Sequence, residues 1–126
     1  PDGMIFDADL SPDSHFEDEL REYIRTLHEF PMAFFADDDT IALAAMKVIL
    51  DCGLRIPEDI SLLGFDDILT AAYMNPSLTT VSVPKQEIGR AATQRLFEII
   101  RNGSEVKYKI HICTSLVERE SVLKLN

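Results

Sequence analysis

Two clusters of carboxylates carry most of the chemistry this sequence offers. Asp37, Asp38 and Asp39 close the apolar run Met32 to Ala36. Asp66 and Asp67 close a second run inside Ile56 to Asp67, IPEDISLLGFDD. Carboxylates at such places accept hydrogen bonds from sugar hydroxyls or base nitrogens, or hold a divalent metal. Each position also has a local alternative. Asp39 stands directly before a helix pattern and is expected to cap it, and Asp67 can start the short helix that follows. Nothing in the local pattern asks for a cap at Asp66, so Asp66 is the expected ligand-contacting residue.

The elements that must position these acids follow from the apolar patterning. Ile60 to Leu63 is an unbroken apolar-rich run bounded by turn signals, which reads as a strand buried on both faces. In open α/β sheets ligands bind just beyond the carboxyl ends of the strands, where both acidic clusters fall. Met4 to Phe6 reads as a strand, and Ser11-Pro12-Asp13 as a helix start. Phe16, Leu20, Tyr23, Ile24 and Leu27 then recur at helical spacing, with Glu17, Asp18, Glu19, Arg21 and Glu22 on the wet side. Pro31 ends that helix.

The next helix, Thr40 to Asp51, has almost no polar face, so it is either buried or shared with a partner. Gly53 and Leu54 follow as a left-handed C-cap and its hydrophobic residue. Ile68 to Tyr73 suits a short helix, broken by Asn75-Pro76. Leu78 to Val83 is of β type, Lys85 to Arg101 is helical and closed by Asn102-Gly103, and Lys107 to Cys113 reads as a strand. Leu116-Val117 continues it after a kink at Thr114-Ser115. The alternation predicts a parallel α/β sheet flanked by helices.

Several functions lose support. Lys plus Arg is 12 against 22 Asp plus Glu, a formal charge of -10; a nucleic-acid grip needs a basic face. Aspartyl-phosphate phosphatase spacing fails, because Thr40 follows Asp39 directly. A phosphoacceptor receiver domain is disfavoured because Lys85 lies too close to Asp66 and begins a helix. There is no nucleophile elbow, Gly-rich phosphate loop or paired-His motif. The chain is therefore read as a non-enzyme with no metal site and no cofactor. Cys52 and Cys113 lack metal-ligand spacing and are expected as buried thiols. No signal peptide or membrane-length apolar run is visible, so a cytoplasmic protein with no membrane partner is expected. The start at Pro-Asp-Gly, with no initiator Met, suggests a piece of something longer.

Several stretches together resemble one family. PMAFFA with its acids, IALAAMKVILDCGLRIPEDISLLGFDD, NPSLTTVSVPKQEIGRAA and SLVERESV occur in the order found in the C-terminal part of lactose-repressor/galactose-repressor (LacI/GalR) transcriptional regulators. The resemblance implies a periplasmic-binding-protein-like fold (type I), held here as a partial two-lobe fragment. Residues 1–82 would belong to the C-terminal lobe, 83–114 would return to the N-terminal lobe, and 115–126 would come back.

It also implies a function: a sugar-type small-molecule effector in the cleft, a homodimer, and repressor-type control of operator DNA through an N-terminal domain outside this chain. By the same resemblance Asp66 and Asp38 contact the effector. At the second position the lactose repressor has Asn, and an ionised Asp can only accept, so the departure bears on the ligand class. Val83 falls near another cleft position. Ile41, Ala45, Met46, Ile49, Tyr73 and Met74 match the dimer surface. The rival readings are a periplasmic or secreted sugar-binding protein of the same fold and a metal-dependent phosphotransfer domain.

Overall fold

The computed structural model describes residues 15–29, 32–103 and 106–124. The expected strand at Met4 to Phe6, the Ser11-Pro12-Asp13 helix start and the Pro31 stop lie outside these residues. Helix α1 spans Phe16–Thr26 and buries Phe16, Leu20 and Ile24, one turn apart, while its acids stay on the wet side. Tyr23 and Leu27 complete the predicted stripe as partly buried neighbours of the core.

Strand β1 is Met32–Phe35, helix α2 is Asp39–Asp51, and strand β2 is Ile60–Asp66. A single 3-10 turn, Leu69–Ala72, follows, then strand β3, Thr79–Ser82. Helix α3 covers Lys85–Asn102 and strand β4 covers Ser115–Val117. The four strands form one sheet in the order β1-β2-β3-β4. The first three are mutually parallel, with Phe35 opposite Leu63 and Leu63 opposite Thr79. Strand β4 runs antiparallel to β3, with Ser82 opposite Ser115. The sheet is thus mixed at one edge rather than wholly parallel. Gly53 and Gly103 take the left-handed conformation that ends α2 and α3, as the sequence predicts.

The core lies between α1, α2 and one face of the sheet. Ala42, Ala45, Met46, Val48 and Ile49 of α2 join Ile60 and Leu62 of β2 and the buried stripe of α1. This corrects part of the expected dimer surface. Met46 and Ile49 are fully buried in the chain's own core and Ala45 is 6% exposed, which leaves them almost no surface for a partner. Ile41 is only partly buried, and Tyr73 and Met74 are exposed.

Three further expectations change. Strand β2 alternates between buried and half-buried residues instead of being sealed on both faces. Residues 106–114 form no strand; alternation marks a candidate strand, but a strand needs a partner edge, and no described strand supplies one here. Cys113 is exposed and Cys52 half-buried, and both are free thiols. The Cys113 segment stays outside the core for the same lack of a partner edge.

Candidate functional site

The carboxyl ends of β1, β2 and β3 form one rim. Phe35 and Leu63 are register partners on adjacent parallel strands, so Asp38 and Asp66, each three residues further on, leave the sheet at the same edge. The two predicted effector residues are brought to the same end of the sheet, but they are held very differently.

Asp38, not Asp39, is the N-cap of α2. Its carboxylate accepts a hydrogen bond from the Thr40 amide at 2.5 Å. Hydrogen bonds from Thr40 hold its carboxyl below the usual carboxylate range. The capping side chain is still half-exposed.

Asp39, the expected cap, is fully buried. Its Oδ1 accepts from the Thr80 hydroxyl at 2.6 Å and its Oδ2 from the Ile68 amide at 2.9 Å. The one-residue exchange of roles follows from tertiary contact, since the Asp39 side chain reaches under the turn after β2. Gly64 makes this possible: a Cβ there would collide with Asp39 Oδ1 and press on Leu78.

That turn is the unusual part of the rim. Asp66 has φ 110 and Asp67 φ 51, two successive non-glycine residues in left-handed backbone. Each such residue costs roughly 1–3 kcal/mol and persists only where its surroundings over-determine it. Four elements do so here. Below, Asp39 accepts from Ile68. From β3, Thr80 Oγ1 accepts from the Asp67 amide at 3.4 Å. From the segment after β4, Arg119 Nη2 donates to Asp67 Oδ1 at 2.6 Å. From the first turn of α3, Lys85 Nζ donates to the Asp66 carbonyl at 3.0 Å and lies 3.4 Å from Asp66 Oδ1.

Arg119 is itself anchored. Its Nη1 donates to the Leu78 carbonyl at 2.7 Å, and its backbone amide donates to Thr79 Oγ1 at 2.9 Å. The guanidinium beside Asp67 holds that carboxyl below the usual range, against the opposing effect of burial. Asp67 is therefore a structural ion-pair partner, while the Asp66 carboxylate is half-buried beside Lys85. The short helix expected to start at Asp67 is instead the 3-10 turn that begins at Leu69.

The arrangement suits polar recognition better than metal binding. Among the described residues no group of three His, Cys, Asp or Glu side chains is placed to hold a metal ion, and both turn carboxylates already face protein cations. Lys85, Arg119 and Thr80 were not singled out from the sequence. Only Lys85 carried a usable signal, a cation immediately after the Val83-Pro84 break. Val83 itself is half-buried beside it. A concave surface also runs along α3, past Arg90, Gln94 and Phe97, away from the rim.

Residues 4–122 match the periplasmic binding protein-like domain. The chain is 36% identical over 122 residues to the HTH-type transcriptional repressor PurR of Klebsiella pneumoniae, covering 97% of this chain and 35% of that protein. It therefore spans only about a third of the length of the curated relatives it matches. Its structure is similar to the Lac repressor dimer bound to operator and the anti-inducer ONPF, with TM-score 0.76 and 30% identity, over 85% of this chain and 37% of that one. It is likewise similar to the transcriptional regulator CelR in complex with cellobiose, with TM-score 0.74 and 30% identity, over 84% of this chain and 31% of the other. The chain belongs to the periplasmic binding protein-like domain family, in the form carried by LacI/GalR-type transcriptional regulators.

Proposed function

We propose that this chain is part of the effector-binding and dimerisation core of a cytoplasmic, DNA-binding transcriptional regulator, with a neutral sugar or related small molecule as effector. The observation that carries the proposal is the Asp66 turn. A strained backbone at the carboxyl end of a central parallel strand, clamped from four directions, presents one partly free carboxylate where α/β sheets bind ligands. Asp38 adds a second half-exposed acceptor on the same rim. Kinship with a protein named as a repressor and with a regulator solved with cellobiose supports this class over a secreted or periplasmic sugar-binding protein.

The chain divides accordingly. Residues 1–82 and 115–126 belong to the lobe that owns the sheet, while 83–114 reach toward another lobe. That division is supported by α3 burying no residue and by 106–114 forming no strand. Ile88, Leu96, Phe97, Ile100, Tyr108 and Ile110 are exposed apolar groups on that stretch, awaiting a cover. The dimer surface is reassigned to the exposed apolar residues beyond the rim: Leu69, 76% exposed, and Tyr73, 79% exposed, with Met74 and the outer side of Ile41. Ligand binding between the lobes shifts their relative orientation, and the shift is transmitted through the dimer to operator-binding segments outside this chain.

Operator binding by the polypeptide that carries this chain, followed by fluorescence anisotropy with and without candidate sugars, tests the proposal. A sugar that changes operator affinity, with the effect lost in Asp66→Ala, is the expected result. Unchanged ligand affinity in Asp66→Ala would overturn the site.

A further inference from the structure

We infer that Lys85 is a second effector-contacting residue, acting as one unit with Asp66, and that this unit selects a neutral ligand bearing adjacent hydrogen-bond donor and acceptor groups. The inference rests on the effector-site reading above and goes beyond it by naming a cationic partner and a charge class.

The geometry carries the first part. The Lys85 ammonium has three N–H donors. One goes to the Asp66 carbonyl, and the ammonium lies 3.4 Å from Asp66 Oδ1. The ammonium keeps donor capacity beyond the Asp66 carbonyl, and among the described residues no hydrogen bond reaches Asp66 Oδ2. One donor and one acceptor therefore sit side by side on a pair that solutes can reach, with side chains 55% and 32% exposed. Two neighbouring hydroxyls match them, one accepting from Lys85 and the other donating to Asp66.

The position of Lys85 argues against a purely structural role. It is the first residue of α3, where the helix dipole disfavours a cation. The backbone there is turned tightly, with the Lys85 amide donating to the Val83 carbonyl at 2.7 Å, so the ammonium is aimed at the rim despite that cost.

Charge carries the second part. Lys85 neutralises Asp66, and Arg119 neutralises Asp67. Lys85 also acts on Asp38, but Asp37, Asp38 and the buried Asp39 add three carboxylates to a rim with these two cations, so its balance stays negative. An anionic ligand would gain one cation, already shared with Asp66 and Asp38, and meet the excess of carboxylates around it. A neutral polyhydroxyl ligand meets neither penalty.

Isothermal titration of the polypeptide that carries this chain is the test. The probes are a panel of neutral mono- and disaccharides, including ribose and cellobiose, and the phosphate esters and acids of the same sugars. The proteins are wild type, Asp66→Asn, Lys85→Met and Lys85→Arg, each checked for an unchanged unfolding midpoint. The expected result is that wild type binds a neutral sugar more tightly than its charged derivative. Lys85→Met then loses about tenfold or more in affinity, the loss of one charge-assisted hydrogen bond, and Lys85→Arg recovers most of it.

Preference for a phosphorylated or acidic derivative, or binding of no neutral sugar, overturns the inference. If Asp66→Asn loses affinity and Lys85→Met keeps it within about twofold, Lys85 is excluded while the effector site stands. If both variants bind like wild type, the effector site itself is misplaced and this inference falls with it.

Discussion

Replacing Arg119 with Met removes the tie that spans the longest stretch of chain at the rim. The guanidinium makes a 2.6 Å contact with Asp67 and a 2.7 Å hydrogen bond to the Leu78 carbonyl. The two side chains are 18% and 25% exposed, so water partly screens the pair. Breaking a fully buried pair costs about 3–5 kcal/mol, and a surface pair is worth at most about 1. This pair lies between those limits, and the lost hydrogen bond to Leu78 adds to it. Arg119→Met is expected to destabilise by roughly 2–3 kcal/mol, net of any strain relieved if the Asp67 backbone leaves its left-handed conformation.

Urea unfolding should show a lower midpoint with an unchanged slope. The pH dependence supplies a second check. The native Asp67 carboxyl lies below its ordinary value of 3.8. The unfolded chain therefore binds the proton more readily, and the stabilisation is present above that ordinary value and lost as pH falls through the lower native one. The gap between wild type and Arg119→Met should accordingly be full at pH 7 and shrink below about pH 4. A gap under about 0.5 kcal/mol at neutral pH, or one that stays constant into acid, would refute this account of the clamp.

Other expectations follow from burial. Asp39→Ala strands the Ile68 amide and the Thr80 hydroxyl and should cost about 2–4 kcal/mol. Asp39→Asn, which keeps one acceptor, should cost less, and equal losses in chemical denaturation would contradict the hub role. Met46→Ala is expected to lower stability by about 2–5 kcal/mol while leaving the association state unchanged. Tyr73→Glu should do the reverse, weakening self-association in sedimentation with less than about 0.5 kcal/mol change in unfolding. Sedimentation that responds to Met46→Ala and not to Tyr73→Glu would restore the buried face of α2 as the partner surface.

Much of this architecture could be read from residue order because its causes are local. The stripe of α1 needs only helical spacing. The ends of α2 and α3 need only a glycine able to turn left-handed. The acids follow apolar runs, and strands of this kind carry ligands at their carboxyl ends. Errors arose where local cues were equivocal. An apolar helix such as α2 fits a core and a partner equally well, and only the seating of α1 against it shows that Ala45, Met46 and Ile49 face inward. The alternation at Lys107 to Cys113 is a necessary condition for a strand and not a sufficient one, because the ladder requires an edge to bond with.

The acidic rim shows the same division most sharply. The chain's own order of residues determined that five carboxylates would gather at the ends of β1 and β2, and that Asp66 had no local duty. It could not determine which carboxylates remained available, because their partners are remote. Asp39 is claimed by Thr80, 41 residues away, Asp67 by Arg119, 52 residues away, and Asp66 by Lys85, 19 residues away. Even the cap of α2 moved by one residue, from Asp39 to Asp38, because burying Asp39 satisfies two polar groups that would otherwise be unpaired under the turn. Local propensity sets where charges stand along the chain, and only the closing of the sheet decides which of them are neutralised and which face a ligand.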